Sequence, residues 1–138
     1  MAHFMDLGTT TQIATAPYIR AVGWLSSAHP FRTERPDPDF VARLRHICHQ
    51  WSSGLAAIGW PVAAGPHTCE FCGTFRASGN VGVPGTDVLY VAPEMVAHYV
   101  ADHAYAPPRE FVEAAMRCPL PGTQEYARAV RGIVGEAG

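Results

Sequence analysis

The sequence predicts an α+β fold in which a Cys-x-x-Cys turn, a β-hairpin and a histidine-bearing helix follow one another, with further helices on either side. Three observations carry that expectation. The chain has 138 residues, 48% of them apolar and only 16% charged, which suits one domain with a real core and does not suit a disordered polypeptide. Apolar residues recur at helical spacing in several stretches and in short strand-like runs elsewhere. Cysteine and histidine gather between His67 and His103 at spacings that suit one metal ion.

The metal reading follows from ligand chemistry. Zn²⁺ favours four tetrahedral ligands, and thiolate with imidazole is a common set. Cys69 and Cys72 place two sulfurs on one ion, and Gly73 lets the backbone turn tightly after them. His98 and His103 fall within the His-x(3–5)-His range of zinc pairs. On an ideal helix, five residues amount to a net rotation of about 140°, too wide for one ion. The helix is therefore expected to loosen near His103, and Pro107 and Pro108 favour an ending there. The expected site is one Zn²⁺ on Cys69, Cys72, His98 and His103. His67, two residues before Cys69, and Asp102, at i+4 from His98, stay open as replacements for one histidine. A Cys69–Cys72 disulfide is the competing use of the pair. The N-terminus has no basic region before an apolar core, so a reducing, cytoplasmic setting is expected, and it disfavours that bridge.

In chain order, Met1 to Ala16 is rich in Thr, Ala and Gly without a clear period, and is expected to be a mobile tail ahead of a single domain over residues 17–138. Tyr18 to Leu25 reads as a strand. A loop with His29-Pro30-Phe31 follows. Asp37 and Pro38 start a helix, as capping carboxylate and first-turn proline, with Phe40, Leu44, Ile47 and Trp51 on one apolar face. His46, Cys48 and His49 diverge in direction on that helix, so Cys48 is read as core and both histidines as solvated. Leu55 to Gly65 is an apolar connection or short helix broken by Gly59, Pro61 and Gly65. Arg76 to Asn80 reads as a turn-rich link. Asn80 to Val83 and Asp87 to Ala92 read as two strands joined by Pro84-Gly85-Thr86. Pro93 is expected to open the ligand helix, with Glu94 suiting its first turn. Pro107-Pro108 starts a helix with Phe111, Ala114, Ala115 and Cys118 inward. Thr123 caps a last helix carrying Tyr126, Ala129, Val130 and Ile133, which packs on the domain or on a second copy, as in a homodimer. The order of knuckle, hairpin and ligand helix resembles a treble-clef zinc unit, whose helix offers ligands from its first turn; here His98 is expected about a turn in.

The motifs also resemble a family of small uncharacterised bacterial proteins. The resemblance rests on Gly23-Trp24-Leu25, His29-Pro30-Phe31, His67-x-Cys69-Glu70-Phe71-Cys72, Tyr90-Val91-Ala92-Pro93, and His98-Tyr99-Val100-x-x-His103-x-Tyr105-x-Pro107-Pro108-x-Glu110-Phe111. It spans about Gly23 to Arg117. It implies a shared fold and a metal site, and carries no assigned activity.

Composition excludes several functions. The formal net charge is −2 and all ten basic residues are arginine. Without lysine, Schiff-base chemistry and a phosphate loop ending in Gly-Lys-Ser/Thr are ruled out. No apolar run approaches the roughly 20 residues of a membrane span. The zinc-protease, zinc-deaminase and Gly-x-Ser-x-Gly signatures are missing. Arg20, Arg32, Arg35, Arg43 and Arg45 are interleaved with Glu34, Asp37 and Asp39, so nucleic acid is not the expected partner. The expected function is a small zinc-binding protein with a closed, structural site, acting as a binding or regulatory partner of an unidentified protein or small molecule. The alternatives are a small zinc enzyme with an open site, Glu70 or Asp102 serving as base, and a weak nucleic-acid-binding zinc module.

Overall fold

A computed structural model of the chain describes residues 3–11, 14–50 and 63–135. Among them are four strands, β1 (Ile19–Ala21), β2 (Ala63–Thr68), β3 (Arg76–Pro84) and β4 (Leu89–Pro93), and four helices, α1 (Pro38–His49), α2 (Val96–His103), α3 (Arg109–Arg117) and α4 (Gln124–Val134). The strands form one mixed sheet in the order β1-β4-β3-β2. β1 runs parallel to β4, and β3 runs antiparallel to both β4 and β2. The fold is mixed α and β, as expected.

All five residues of β4 are buried, because the sheet has a core on each face. Side chains alternate across a strand. Leu89 and Val91 therefore join Ile19, Ala21, Trp24, Tyr126 and Val130 on one side. Tyr90 and Ala92 join Val81, Val83 and the apolar faces of α1, α2 and α3 on the other. The Trp24 indole N–H donates to the Val91 carbonyl at 2.9 Å, which satisfies the polar end of a fully buried ring.

The local rules hold where the signals were strong. In α1 the Asp37 side chain accepts from the Asp39 amide, Pro38 takes the first turn, and Phe40, Val41, Leu44, Ile47 and Cys48 are buried. His46 and His49 are exposed. Trp51 and most of Leu55 to Gly65 lie outside the described residues. Arg43 is half-buried on α1. Its guanidinium crosses to α3 and donates to the Ala115 and Cys118 carbonyls, capping a helix C-terminus that would otherwise leave them unpaired. In α4 the Thr123 hydroxyl accepts from the Tyr126 amide. That helix packs on its own sheet, with the Tyr126 hydroxyl donating to the Gly82 carbonyl at 2.7 Å.

Three boundaries differ from expectation. Arg76 to Asn80 is not a link but the first half of β3, because β2 supplies a partner ladder from Ala63↔Gly79 to Thr68↔Arg76. β1 covers only three residues of the predicted Tyr18–Leu25 run, since Gly23 turns to a φ of 76°. Pro93 does not open a helix. It is the last β4 residue, paired with Asn80, and Glu94 clasps Gly79 through its own amide and its carboxylate before α2 begins at Val96. The N-terminal stretch, expected as a mobile tail, lies along the β1 segment: the Phe4 amide donates to Trp24 at 3.2 Å and the Leu7 amide to Ala21 at 2.6 Å.

Leu44 is 0% exposed at the centre of the larger core. Leu44→Ala is expected to cost about 2–5 kcal/mol in a denaturant melt; a midpoint shift within noise would show that α1 does not seal that core.

Candidate metal centre

The site is built from the turn between β2 and β3 and from the side of α2 that carries His98 and His103. At the turn, the Thr68↔Arg76 pair closes the ladder, the Cys69 amide donates to the Phe75 carbonyl at 2.8 Å, and the Gly73 amide donates back to Cys69 at 2.9 Å. Gly73 has a φ of 72° and open space where a Cβ would stand, so the position requires glycine for its backbone alone. The turn brings both sulfurs to one side. Cys69 is buried, and desolvation holds its thiol above the ordinary value against the opposing pull of the Cys72 and Phe71 amides. Cys72 is exposed, and the Thr74 hydroxyl, then the Phe75 and Thr74 amides, pull its thiol down to about 5. Each sulfur is thus served by amides two and three residues further along, an arrangement that favours thiolate.

α2 buries Val96, Ala97, His98, Tyr99 and Val100. His98 stands in its first turn and His103 is its last residue. The helix opens at that end, as the spacing of the two histidines demanded. The Tyr99 carbonyl accepts from the amides of Ala104 and Tyr105, five and six residues on, beyond the regular fourth. Ala104 then leaves the helix at φ 55°, ψ 24°. A left-handed alanine costs roughly 1–2 kcal/mol, so the surrounding contacts must hold it there.

Zinc bonds of about 2.3 Å to sulfur and about 2.0–2.1 Å to nitrogen imply tetrahedral edges of about 3.5 Å from S to N and about 3.3 Å from N to N. Cys69 Sγ lies 3.4 Å from His103 Nε2, Cys72 Sγ lies 3.5 Å from His98 Nε2, and the two Nε2 atoms are 3.2 Å apart. Ligand atoms of all four residues fall within 4.8 Å of one another, close enough to hold a metal ion.

Asp102, one of the residues held open as a ligand, takes another place. Its Oδ2 is 2.9 Å from His98 Nδ1, the nitrogen away from the cluster. A carboxylate on Nδ1 leaves Nε2 free to ligate and fixes the ring's orientation. His67 sits in β2 opposite Ala77 and is not in the cluster. Glu70 is exposed, and its Oε1 accepts from the Ser27 amide and hydroxyl at 3.0 and 2.9 Å, which ties the turn to the loop after Trp24. Those bonds hold its carboxyl below the usual range. Cys48 and Cys118 are buried and apart from the cluster; burial pushes the Cys48 thiol up to about 12. His29 is exposed and stacks on His3, with ring centroids 3.9 Å apart.

The sequence reading missed the two phenylalanines of the turn. Phe75 stacks on His98, with centroids 4.1 Å apart and planes within 6°, and Phe71 leans on His103 at 5.4 Å. Their signal was the alternation Cys-Glu-Phe-Cys-Gly-Thr-Phe, one aromatic ring for each imidazole.

Asp102→Asn is expected to lower metal affinity by roughly 10–100-fold while leaving the four ligands able to take one ion. Competition with a chromophoric chelator measures this. An unchanged affinity would mean that Asp102 has no part in orienting His98.

No curated protein matches the chain, and no solved structure does. Among the described residues, no helix is long and apolar enough to cross a membrane. One family model does match. It spans residues 2–116, from the N-terminal stretch expected to be a tail, through all four strands and the four clustered residues, into α3, and the chain therefore belongs to that family, a domain of unknown function (DUF7919).

Proposed function

We propose that the protein is a small zinc-binding domain whose Cys69, Cys72, His98 and His103 close around one Zn²⁺ as a structural site, and that it serves as a binding or regulatory partner. The observation that carries the reading is that two S···N separations and the N···N separation fit edges of a zinc tetrahedron, with all four ligand atoms within 4.8 Å of one another. Two thiolates balance the charge of a divalent ion, and four protein ligands leave no position for substrate. Both carboxylates next to ligands are already engaged, Glu70 with Ser27 and Asp102 with His98. An open catalytic site would need one of them as a base. The order of turn, β3–β4 hairpin and α2, with His98 in the helix's first turn, supports a treble-clef-like unit.

Such a site contributes on the order of 10–16 kcal/mol of apparent binding energy, delivered only on folding. Purification without chelator should give one zinc per chain by elemental analysis. Cys69→Ser and His98→Ala should lose metal and stability together, while Cys48→Ser and Cys118→Ser should keep full metal content. Protons compete for the thiolates and imidazoles, so metal affinity should fall as the pH is lowered. Native protein without stoichiometric metal would refute the reading. One metal on three protein ligands and a water would turn it towards an enzyme.

A further inference from the structure

The N-terminal segment grips the ligand helix at both ends through one carboxylate. Asp6 Oδ2 accepts from the Tyr105 hydroxyl at 2.6 Å, and Oδ1 accepts from the Gly23 amide at 3.0 Å. Tyr105 lies two residues past His103, and its ring is 2% exposed. Gly23 abuts the start of α2 so closely that a Cβ there would stand 2.7 Å from Val96 Cγ2. One side chain from outside the metal centre therefore touches a residue pressed against the first turn of α2 and a residue just beyond its last.

The far end needs such a hold. Ala104 is left-handed, and the segment after it is tied down by the Glu34 amide donating to the Ala104 carbonyl and the Ala106 amide donating to the Arg32 carbonyl, both at 2.9 Å. Aromatic rings run from Tyr105 back to the site: Tyr105 to Phe31 at 5.9 Å, Phe31 to Phe71 at 5.3 Å, and Phe71 to His103 at 5.4 Å. A rotation of Tyr105 would reach His103 through the backbone and through these rings.

Resting on the Cys₂His₂ reading above, we infer that Asp6 is a positioning residue of the metal centre: through Tyr105 and Gly23 it holds α2 at both ends and sets the direction of His103. Nothing in the spacing of the four ligands requires a residue so far upstream.

Co²⁺ titration of the full chain, with its visible ligand-field spectrum, tests this. Wild type should take one Co²⁺. Asp6→Ala should weaken binding roughly 10-fold or more and shift the ligand-field bands. Tyr105→Phe should do the same, and the double variant should be no worse than the weaker single one, because both break one clamp. Asp6→Asn should recover most of the loss, since the Tyr105 hydroxyl can turn and accept from the new amide. Val130→Ala, destabilised in the smaller core on the other face of the sheet, should leave the spectrum unmoved. Wild-type affinity and an unchanged spectrum in Asp6→Ala would overturn the inference. If wild type itself takes no metal, the Cys₂His₂ reading fails and the positioning role falls with it. Amide exchange at Ala104 and Tyr105 would then judge the clamp alone: faster exchange in Asp6→Ala supports it, and unchanged exchange removes it.

Discussion

Two imidazoles five residues apart on one helix must reach a single point, and much of the site is arranged around that demand. A regular α-helix would leave them about 140° apart. The last turn of α2 is therefore widened, with the Tyr99 carbonyl taking amides five and six residues on. Widening requires an exit, and Ala104 makes it in the left-handed region without being glycine. The exit in turn has to be held. Tyr105 plunges into the core, Asp6 receives its hydroxyl, and residues Arg32 and Glu34 pair with the backbone on either side of it. The turn between β2 and β3 answers from the opposite side, with its two phenylalanines laid against the two imidazoles.

The electrostatics of the four groups fit together. Sulfurs at a Cys-x-x-Cys turn repel one another when both are ionised, and here the cost is met by amides at the turn and by the Thr74 hydroxyl. The two sulfurs are not equivalent. Cys69 is sealed beneath the sheet end and resists ionisation, whereas Cys72 faces solvent and does not. Asp102 adds a further half-step: from the surface it holds His98 by Nδ1, the nitrogen that faces away from the cluster. A carboxylate at i+4 is read from sequence as a ligand or as a ligand's support, and only the direction of the ring separates the two.

That distinction shows where the sequence was legible. Spacing and ligand chemistry picked out Cys69, Cys72, His98 and His103, and the widened helix end was demanded by the five-residue interval. Capping residues and apolar periodicity placed α1, α3 and α4 within a few residues. What failed was non-local. Arg76 to Asn80 carries Ser78, Gly79 and Asn80 and reads as a turn until β2 lies beside it, because a ladder partner overrides weak local preference. Pro93 looked like a helix opener because proline suits a first turn, but it equally suits the end of a strand. No spacing rule reveals that Arg43 serves the α3 carbonyls. The N-terminal stretch lacked any period of its own, and its hydrogen bonds to residues 21–24 depend on where the sheet edge falls.

The division of the core has a consequence for what a metal ion would do. Small zinc modules commonly fold only with their metal, because they bury too little otherwise. Here β4 is covered on both faces, and the smaller cluster of Ile19, Trp24, Leu89, Val91, Tyr126 and Val130 contains none of the four ligands. The larger cluster contains Cys69 and the inner side of α2. Loss of the ion would thus strike the larger cluster through the β2–β3 turn and α2. Trp24, Tyr126 and α4 would stay packed on the far side of the sheet. The helix that completes this second layer, α4, lies beyond residue 116, where the family match ends. The cluster without a site residue is thus closed by a segment outside the matched region, while the four clustered Cys and His residues and Asp6 lie wholly inside it.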